Sequence, residues 1–154
     1  MSLGSRTKTG NPKNDEFYTP KYIFDRIGIP FDLDVAAPIG GASVPADRYY
    51  TIEDDGLAQE WKGLVWMNPP FSAPTPWVDK FIAHSYGIAL LPTSKAKWFK
   101  NIWEKADAIL MVESNFKFDR PDSQRSDIFM PTVLVAMGEK PTAALRASKL
   151  GRVR

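Results

Sequence analysis

Four short runs in the sequence are apolar at almost every position, and these runs constrain the fold more than any other feature. They span residues 64–67, 87–92, 108–112 and 132–137. Segments with helical spacing lie between the first three runs, at residues 74–86 and 95–105, and another lies ahead of them at residues 20–27. Apolar strands that alternate with helices are typical of a sheet that is covered on both faces. We therefore predict an α/β fold whose sheet is mostly parallel and has helices on both faces.

Two further segments add strands to this sheet. Residues 31–37 alternate between apolar and polar positions, and residues 48–51 resemble a second short strand, which brings the sheet to about six strands. Ahead of them, Thr19 is a favourable N-cap and Pro20 a favourable first residue for a helix. Gly28 is a typical residue to end that helix.

The length of the chain, 154 residues, suits one hydrophobic core and is too short for two ordinary domains. Residues 1–14 lack periodicity and are rich in small and basic residues, which predicts a flexible basic arm before a single domain at 15–154. No apolar run approaches 18 residues, so we expect no membrane span. With no Cys and one His, no metal site is expected, and the cytoplasm is the default location.

Polar residues follow three of the predicted strands at their carboxyl ends. These are Asp34 with Ala36 and Ala37 after it, the acidic turn Asp54-Asp55, and Asn68. In open α/β sheets, ligands bind in the crevice beyond the carboxyl ends of the strands. We therefore expect these residues to line one binding site.

The turn Asn68-Pro69-Pro70-Phe71 has a chemistry of its own. The Asn side chain offers an acceptor and donors, and the two prolines lock φ and have no N–H. The Asn68 side-chain oxygen and the Pro69 carbonyl can then converge as two acceptors on one exocyclic NH₂ group. Such contacts would direct the nitrogen lone pair towards an electrophile, while Phe71 would stack on the ring that carries the amine. A plain strand-ending turn remains the alternative.

The charges are unevenly distributed along the chain. Residues 32–60 carry a net charge of −6, whereas residues 79–105 carry +3 and residues 139–154 carry +4. This pattern favours an acidic face near a small cationic ligand and a basic face near a polyanion, with ordinary solvated surface as the alternative. Bases and an aromatic residue mix in the second region as they do on nucleic-acid-binding faces, at Lys95, Lys97, Trp98 and Lys100. A core position is the alternative for Trp98.

Several motifs occur in the same order as in a known family. The chain from about residue 15 to 138 resembles the phage-type DNA N-6-adenine methyltransferase (Dam-like) family. The matching motifs are Phe17-Tyr18-Thr19-Pro20, Asp32-Leu33-Asp34-Val35-Ala36-Ala37, Tyr49-Tyr50-Thr51, Asp54-Asp55-Gly56-Leu57 with Trp61, Trp66-Met67-Asn68-Pro69-Pro70-Phe71, Leu90-Leu91-Pro92 and Trp98-Phe99. Each motif alone is weak, but their combination in this order is specific.

The resemblance implies an activity and a set of partners. It implies transfer of a methyl group from S-adenosylmethionine to adenine N6 in DNA, on a compact Rossmann-like sheet without a separate target-recognition domain. Double-stranded DNA would be the partner, in the cytoplasm of a bacterial host cell. No metal, membrane or obligate protein partner is expected.

The resemblance also implies roles for individual residues. Tyr18, Thr19 and Pro20 would bind the methionine end of the cofactor. Asp34 would hold the methionine amine, with Ala36 allowing close approach of the backbone. The acid that accepts from the cofactor's adenine amine would be Asp55 or Asp54. The residues that bind the target amine and stack its base would be Asn68, Pro69, Pro70 and Phe71.

Two other interpretations remain open from the sequence. The same turn could act on another planar amine, such as cytosine N4, an RNA base or a glutamine amide. The first strand lacks the Gly-x-Gly that many methyltransferases carry, so a non-catalytic nucleic-acid-binding module derived from this fold is the third interpretation.

Overall fold

The computed structural model describes residues 19–41, 44–112, 117–119, 125–127 and 131–154, the two short segments by their backbone alone. The predicted basic arm at 1–14 lies outside the described residues. Four helices are present in the described part of the chain: α1 (Lys21–Ile27), α2 (Thr75–His84), α3 (Lys97–Lys105) and α4 (Glu139–Ala147). The strands there are β1 (Phe31–Asp34), β2 (Ala46–Tyr49), β3 (Val65–Met67), β4 (Gly87–Pro92), β5 (Ala108–Val112), β6 (Lys117–Asp119), β7 (Arg125–Asp127), β8 (Thr132–Met137) and β9 (Gly151–Val153).

Seven of these strands form one sheet in the order β2-β1-β3-β4-β8-β5-β9, and β6 pairs with β7 in a separate two-stranded ribbon. The pairs β1–β2, β1–β3 and β3–β4 are parallel. The pairs that β8 makes with β4 and β5, and that β9 makes with β5, are antiparallel. The sheet is therefore mixed, which corrects the prediction of a mostly parallel sheet with about six strands.

The connection between β5 and β8 explains the change of direction. β5 ends at the carboxyl edge of the sheet, and the chain from there to β8 includes the ribbon of β6 and β7. A helix normally returns the chain to the opposite end of the sheet before a parallel strand starts, and the described residues between β5 and β8 form strands instead. Here β8 starts at the end of the sheet where β5 finishes, so the two strands run in opposite directions.

Helices cover both faces of the sheet, as predicted. Trp66, Ile88 and Leu134 of the sheet share one buried cluster with residues of α1 and α4. On the opposite face, Met67 and Val135 share a second cluster with residues of α2 and α3. Every residue of β4 and β8 is buried, which is why these segments are apolar at successive positions.

Three aromatic rings fix the first helix against the centre of the sheet. The ring of Phe24 in α1 lies 4.8 Å from that of Trp66 and 6.4 Å from that of Phe31, both in edge-to-face geometry. α1 ends as predicted, at Gly28 with φ of 75°. The packing places the start of α1, at Thr19 and Pro20, beside the carboxyl end of β3.

None of the helices in the described ranges is both long and apolar enough to cross a bilayer.

Candidate active site

The strand order reverses at β1, and in open α/β sheets such a reversal leaves a crevice for ligands. The chain goes from β1 to β2 on one side of β1, and later enters β3 on its other side. Connections on opposite sides leave a gap at the carboxyl ends of the two central strands, where ligands of α/β proteins bind. β1 and β3 remain joined there, since the Val35 N–H donates to the Trp66 carbonyl over 3.1 Å.

Asp34 and Asn68 stand at the two strand ends that flank this crevice. The register pairs Asp34 with Trp66, so Asn68 lies two residues beyond that level on the neighbouring strand. With strands about 4.8 Å apart and a rise of about 3.3 Å per residue, their Cα atoms are roughly 8 Å apart. The predicted grouping of these two residues in one site therefore agrees with the strand register.

The Asp34 carboxyl group is almost completely removed from solvent. The residue is 3% exposed, and one carboxyl oxygen accepts from the Ala36 N–H over 3.2 Å. Burial raises the pKa of Asp34 from 3.8 to about 7, although the hydrogen bond from Ala36 lowers it. Among residues 19–41, 44–112 and 131–154, the ion pairs are Lys21–Asp25 and Lys62–Glu60, and neither involves Asp34. A cationic ligand group would suit this position.

Asn68 lies next to the start of α1. Its side-chain Nδ2 donates to the Thr19 hydroxyl oxygen over 3.4 Å, which directs the amide oxygen away from Thr19. The prediction that Thr19 is the N-cap and Pro20 the first helical residue is wrong by one position, since Pro20 is the cap and α1 begins at Lys21. The hydroxyl that was expected to cap the helix instead contacts the amide of the turn. Tyr18, predicted to bind the cofactor with them, lies outside the described residues.

The two prolines lead from β3 into α2. Pro69 is buried and Pro70 half-buried, and the Pro70 carbonyl accepts from the Ala73 N–H over 3.4 Å. Pro74 then caps α2. Phe71 is half-buried and packs against the cluster that contains α1. The turn is therefore fixed at both ends by elements of the core.

The two aspartates of the acidic turn differ in their contacts and in their backbone conformation. One carboxyl oxygen of Asp54 accepts from the Thr51 backbone N–H over 2.8 Å and lies 3.3 Å from the Thr51 hydroxyl. Asp54 therefore closes its own turn. Asp55 is exposed and has a φ of 58°, a conformation that is uncommon for residues other than glycine and often occurs at functional sites.

Gly56 brings this turn against the end of β1. A Cβ atom at Gly56 would lie 2.1 Å from the Val35 carbonyl oxygen and 3.3 Å from the Trp77 ring. Such close approach is possible only for glycine. The acidic turn is therefore in backbone contact with the residue that follows Asp34.

The predicted basic face is only partly realised. Lys95, Lys97 and Lys100 are exposed at and after the end of β4. Trp98 is 8% exposed and packs in the core, so its burial argues against the predicted role in nucleic-acid contact. On the same helix, Trp103 is 43% exposed. The i,i+4 spacing of Trp98 and Ile102 marks the buried stripe, because both are buried in α3.

Sequence reasoning missed one residue near the site, Lys80 of α2. Its ammonium group donates to two backbone carbonyls of the loop that follows the acidic turn. No sequence pattern reveals this contact, because the partners are main-chain atoms of a loop without regular structure.

A buried acid and an Asn-Pro-Pro-Phe turn thus follow neighbouring strands at the carboxyl ends of an α/β sheet, where such proteins bind their ligands. The family model for DNA N-6-adenine-methyltransferase (Dam) matches residues 6–143. The chain belongs to this family, which confirms the resemblance inferred from its motifs.

Two relatives have the same description. The chain is 30% identical over 122 residues to a DNA N-6-adenine-methyltransferase of Haemophilus phage HP1 (strain HP1c1), covering 71% of this chain and 69% of the relative. It is 31% identical over 124 residues to one of Escherichia phage T1, covering 73% of this chain and 51% of the relative. The chain thus spans about half the length of the T1 protein. No solved structure gives a significant match.

Proposed function

We propose that this protein transfers a methyl group from S-adenosylmethionine to N6 of adenine in double-stranded DNA. The observation that carries the proposal is the placement of Asn68 beside the buried Asp34, in a chain that belongs to the Dam family. The reversal of strand order at β1 further supports a Rossmann-like cofactor site in this crevice. Because the substrate is DNA, the protein acts in the cytoplasm of a bacterial host.

The chemistry of the crevice suits S-adenosylmethionine. This cofactor, when bound, supplies an electrophilic methyl group on a sulfonium centre, and its methionine end carries an ammonium group. Asp34 is buried without a cationic partner among the described residues, so its carboxylate is suited to that ammonium group. Thr19 and Pro20 flank the same crevice at the start of α1, with Tyr18 directly before them in the sequence. Ala36 donates the N–H that orients the Asp34 carboxylate.

Asp55 is the better candidate of the two acids for the adenine amine of the cofactor. The Asp54 carboxylate is occupied by Thr51, whereas Asp55 is exposed in a strained backbone conformation next to Gly56. Contact between Gly56 and the end of β1 keeps this acid close to the part of the crevice that Asp34 lines.

The Asn-Pro-Pro-Phe turn would hold the amine that is methylated. Donation from Asn68 Nδ2 to Thr19 directs the amide oxygen to the other side, where it can accept from an NH₂ group. The Pro69 carbonyl would be the second acceptor, with Pro70 making the turn rigid, and Phe71 would stack on the base. Together they would orient the nitrogen lone pair, the type of positioning on which such transfers depend.

Access to a base within duplex DNA requires that the base be flipped out, at a cost of a few kcal/mol. Contacts to phosphates offset this cost. Three exposed lysines follow the carboxyl end of β4, and so lie at the same end of the sheet as the crevice. They are Lys95, Lys97 and Lys100.

The test is transfer of label from tritiated S-adenosylmethionine to unmethylated DNA. We expect label in N6-methyladenine, none with Asn68→Ala, and residual transfer with Asn68→Asp, which keeps an acceptor oxygen at the same place. Cofactor binding measured by calorimetry should survive both substitutions. Label in RNA, in cytosine or in protein glutamine would assign the turn to another amine. If the protein binds DNA but not the cofactor, it is a non-catalytic nucleic-acid-binding module and the proposal is wrong.

A further inference from the structure

The loop that follows the acidic turn has carbonyl groups that accept hydrogen bonds from side chains along most of its length. The Trp61 indole N–H donates to the Gly56 carbonyl over 2.8 Å, and the Tyr50 hydroxyl donates to the Glu60 carbonyl over 2.9 Å. The Gln59 amide donates to the Asp54 carbonyl over 2.7 Å. A loop without regular secondary structure thus gains a fixed shape from side chains.

Lys80 of α2 contacts this loop at several points. Its Nζ donates to the Leu57 carbonyl over 2.8 Å and also to the Gln59 carbonyl. The same ammonium group lies 5.1 Å from the centre of the Trp61 ring, within cation–π distance. Hydrogen bonds from a charged donor are stronger than neutral ones, so this single side chain restrains three positions of the loop.

The helix that carries Lys80 is itself anchored rigidly. Val78 and Phe81, on either side of Lys80, are buried in the core, and α2 begins four residues after Phe71, the last residue of the Asn-Pro-Pro-Phe turn. Trp77, one turn before Phe81, stacks on Trp61 with ring centres 6.4 Å apart. α2 therefore links the turn proposed to hold the target amine with the loop that follows the acidic turn.

The start of the loop, at Gly56, also packs against α2. Gly56 touches both the Val35 carbonyl and the Trp77 ring, so the loop is enclosed between the end of β1 and α2. Asp55 directly precedes this contact in a left-handed conformation, which persists only where neighbouring contacts impose it.

We propose that Lys80 is a positioning residue for the cofactor. It acts through Leu57, Gln59 and Trp61 to hold the acidic turn at the height where Asp55 meets the ligand, without touching the ligand itself. The inference rests on the proposed function, because it assumes that Asp55 contacts S-adenosylmethionine. It adds to that function a residue of α2, the helix after the Asn-Pro-Pro-Phe turn, that holds the loop behind the acidic turn in place.

The experiment compares Lys80→Met, Lys80→Arg and the matched control Lys62→Met. Lys62 belongs to the same loop, but its side chain is 71% exposed and forms only a long ion pair, 3.7 Å, with Glu60. Hydrogen exchange of the amides from 54 to 60 is measured without ligand, and S-adenosylmethionine binding is measured by calorimetry. Steady-state kinetics with DNA then separate KM for the cofactor from kcat.

We expect Lys80→Met to accelerate exchange in this segment, to weaken cofactor binding and raise the cofactor KM roughly tenfold, and to change kcat less than threefold. Lys80→Arg, which keeps the charge and donors, should recover most of the affinity. Lys62→Met should behave like the unaltered protein. A purely structural role would lower the melting temperature and leave the cofactor KM unchanged.

Two results would overturn the inference while the proposed function stands. One is unchanged exchange at 54–60 in Lys80→Met, and the other is faster exchange with unchanged cofactor affinity. If the unaltered protein binds no S-adenosylmethionine, the proposed function and this inference both fail, and the exchange data then assign Lys80 to loop stability alone.

Discussion

Replacement of Asp34 by Asn should make the ligand-free protein more stable and at the same time remove cofactor binding. The carboxyl group has a pKa of about 7 in the folded protein against 3.8 for the free side chain, because burial disfavours its charged form. Between these two pH values the folded protein binds more protons than the unfolded chain. The free energy of unfolding therefore falls as pH rises from about 4 to about 7, and is level above that.

The size of the effect follows from the same pKa difference. About three pH units at 1.36 kcal/mol each give a cost of about 4 kcal/mol for the buried carboxylate at pH 8. Asn retains an oxygen that can accept from the Ala36 N–H, but burial of its NH₂ group costs roughly 1–2 kcal/mol. The net gain at pH 8 is then roughly 2 kcal/mol, or a rise in melting temperature of about 4–8 °C.

The assay is denaturant unfolding of both proteins at several pH values between 5 and 8. The difference in unfolding free energy should grow by about 1.4 kcal/mol per pH unit up to pH 7 and then level off. This growth does not depend on the cost of the buried amide, since that cost is the same at every pH. Saturating S-adenosylmethionine should reverse the order at pH 8, because only the unaltered protein gains stability from binding.

Asp32→Asn is the matched control, since Asp32 is exposed on the same strand and accepts from the Leu64 N–H over 2.7 Å. It should leave cofactor binding intact. If the stability difference between Asp34→Asn and the unaltered protein is the same at pH 5 and pH 8, burial of the charged carboxylate does not destabilise the folded protein. The reasoning would also fail if Asp34→Asn still bound the cofactor with normal affinity.

Three further substitutions test the geometry of the site. Gly56→Ala should lower stability by about 2 kcal/mol or more and weaken cofactor binding, because its Cβ would lie 2.1 Å from the Val35 carbonyl oxygen; thermal melting and calorimetry check this. Asp55→Asn should weaken cofactor binding with little loss of stability, whereas Asp54→Asn should lower stability by about 1 kcal/mol because its contacts to Thr51 are weakened. If the two variants lose the same affinity and the same stability, the assignment of Asp55 to the cofactor is wrong. Substitution of single basic residues by Gln should lower DNA affinity and reduce the slope of log affinity against log salt by about 1 each, as measured by fluorescence anisotropy for Lys95, Lys97 and Lys100.

The sequence predicts the central strands well, because burial on both faces leaves a clear signature. The apolar runs of β4, β5 and β8 have the predicted bounds. Their relative direction could not be predicted, since an apolar run is the same pattern whichever way the strand points. β9 was missed because three residues, Gly151–Val153, are too few for any periodicity, and it exists only through its pairing with β5.

The candidate site was predicted in its residues more than in their contacts. Asp34 and Asn68 were singled out because each is a polar residue at the carboxyl end of a predicted strand. The contact between Asn68 and Thr19 could not be foreseen, since it depends on how α1 packs across 49 positions of sequence. Both interpretations of Trp98 were open because the amphipathic spacing of α3 fits a core stripe as well as a basic, aromatic face, and its burial favours the core.

The cost of burying Asp34 is itself an argument about ligands. A strand end could carry an apolar residue at this position and gain stability, as the neighbouring Leu33 and Val35 do. Instead the chain buries a carboxylate and orients it with a backbone N–H, but gives it no cation from the described residues. A cationic ligand would lower the pKa of Asp34 and recover the lost free energy on binding, so part of the folding stability is converted into selectivity for a positively charged partner.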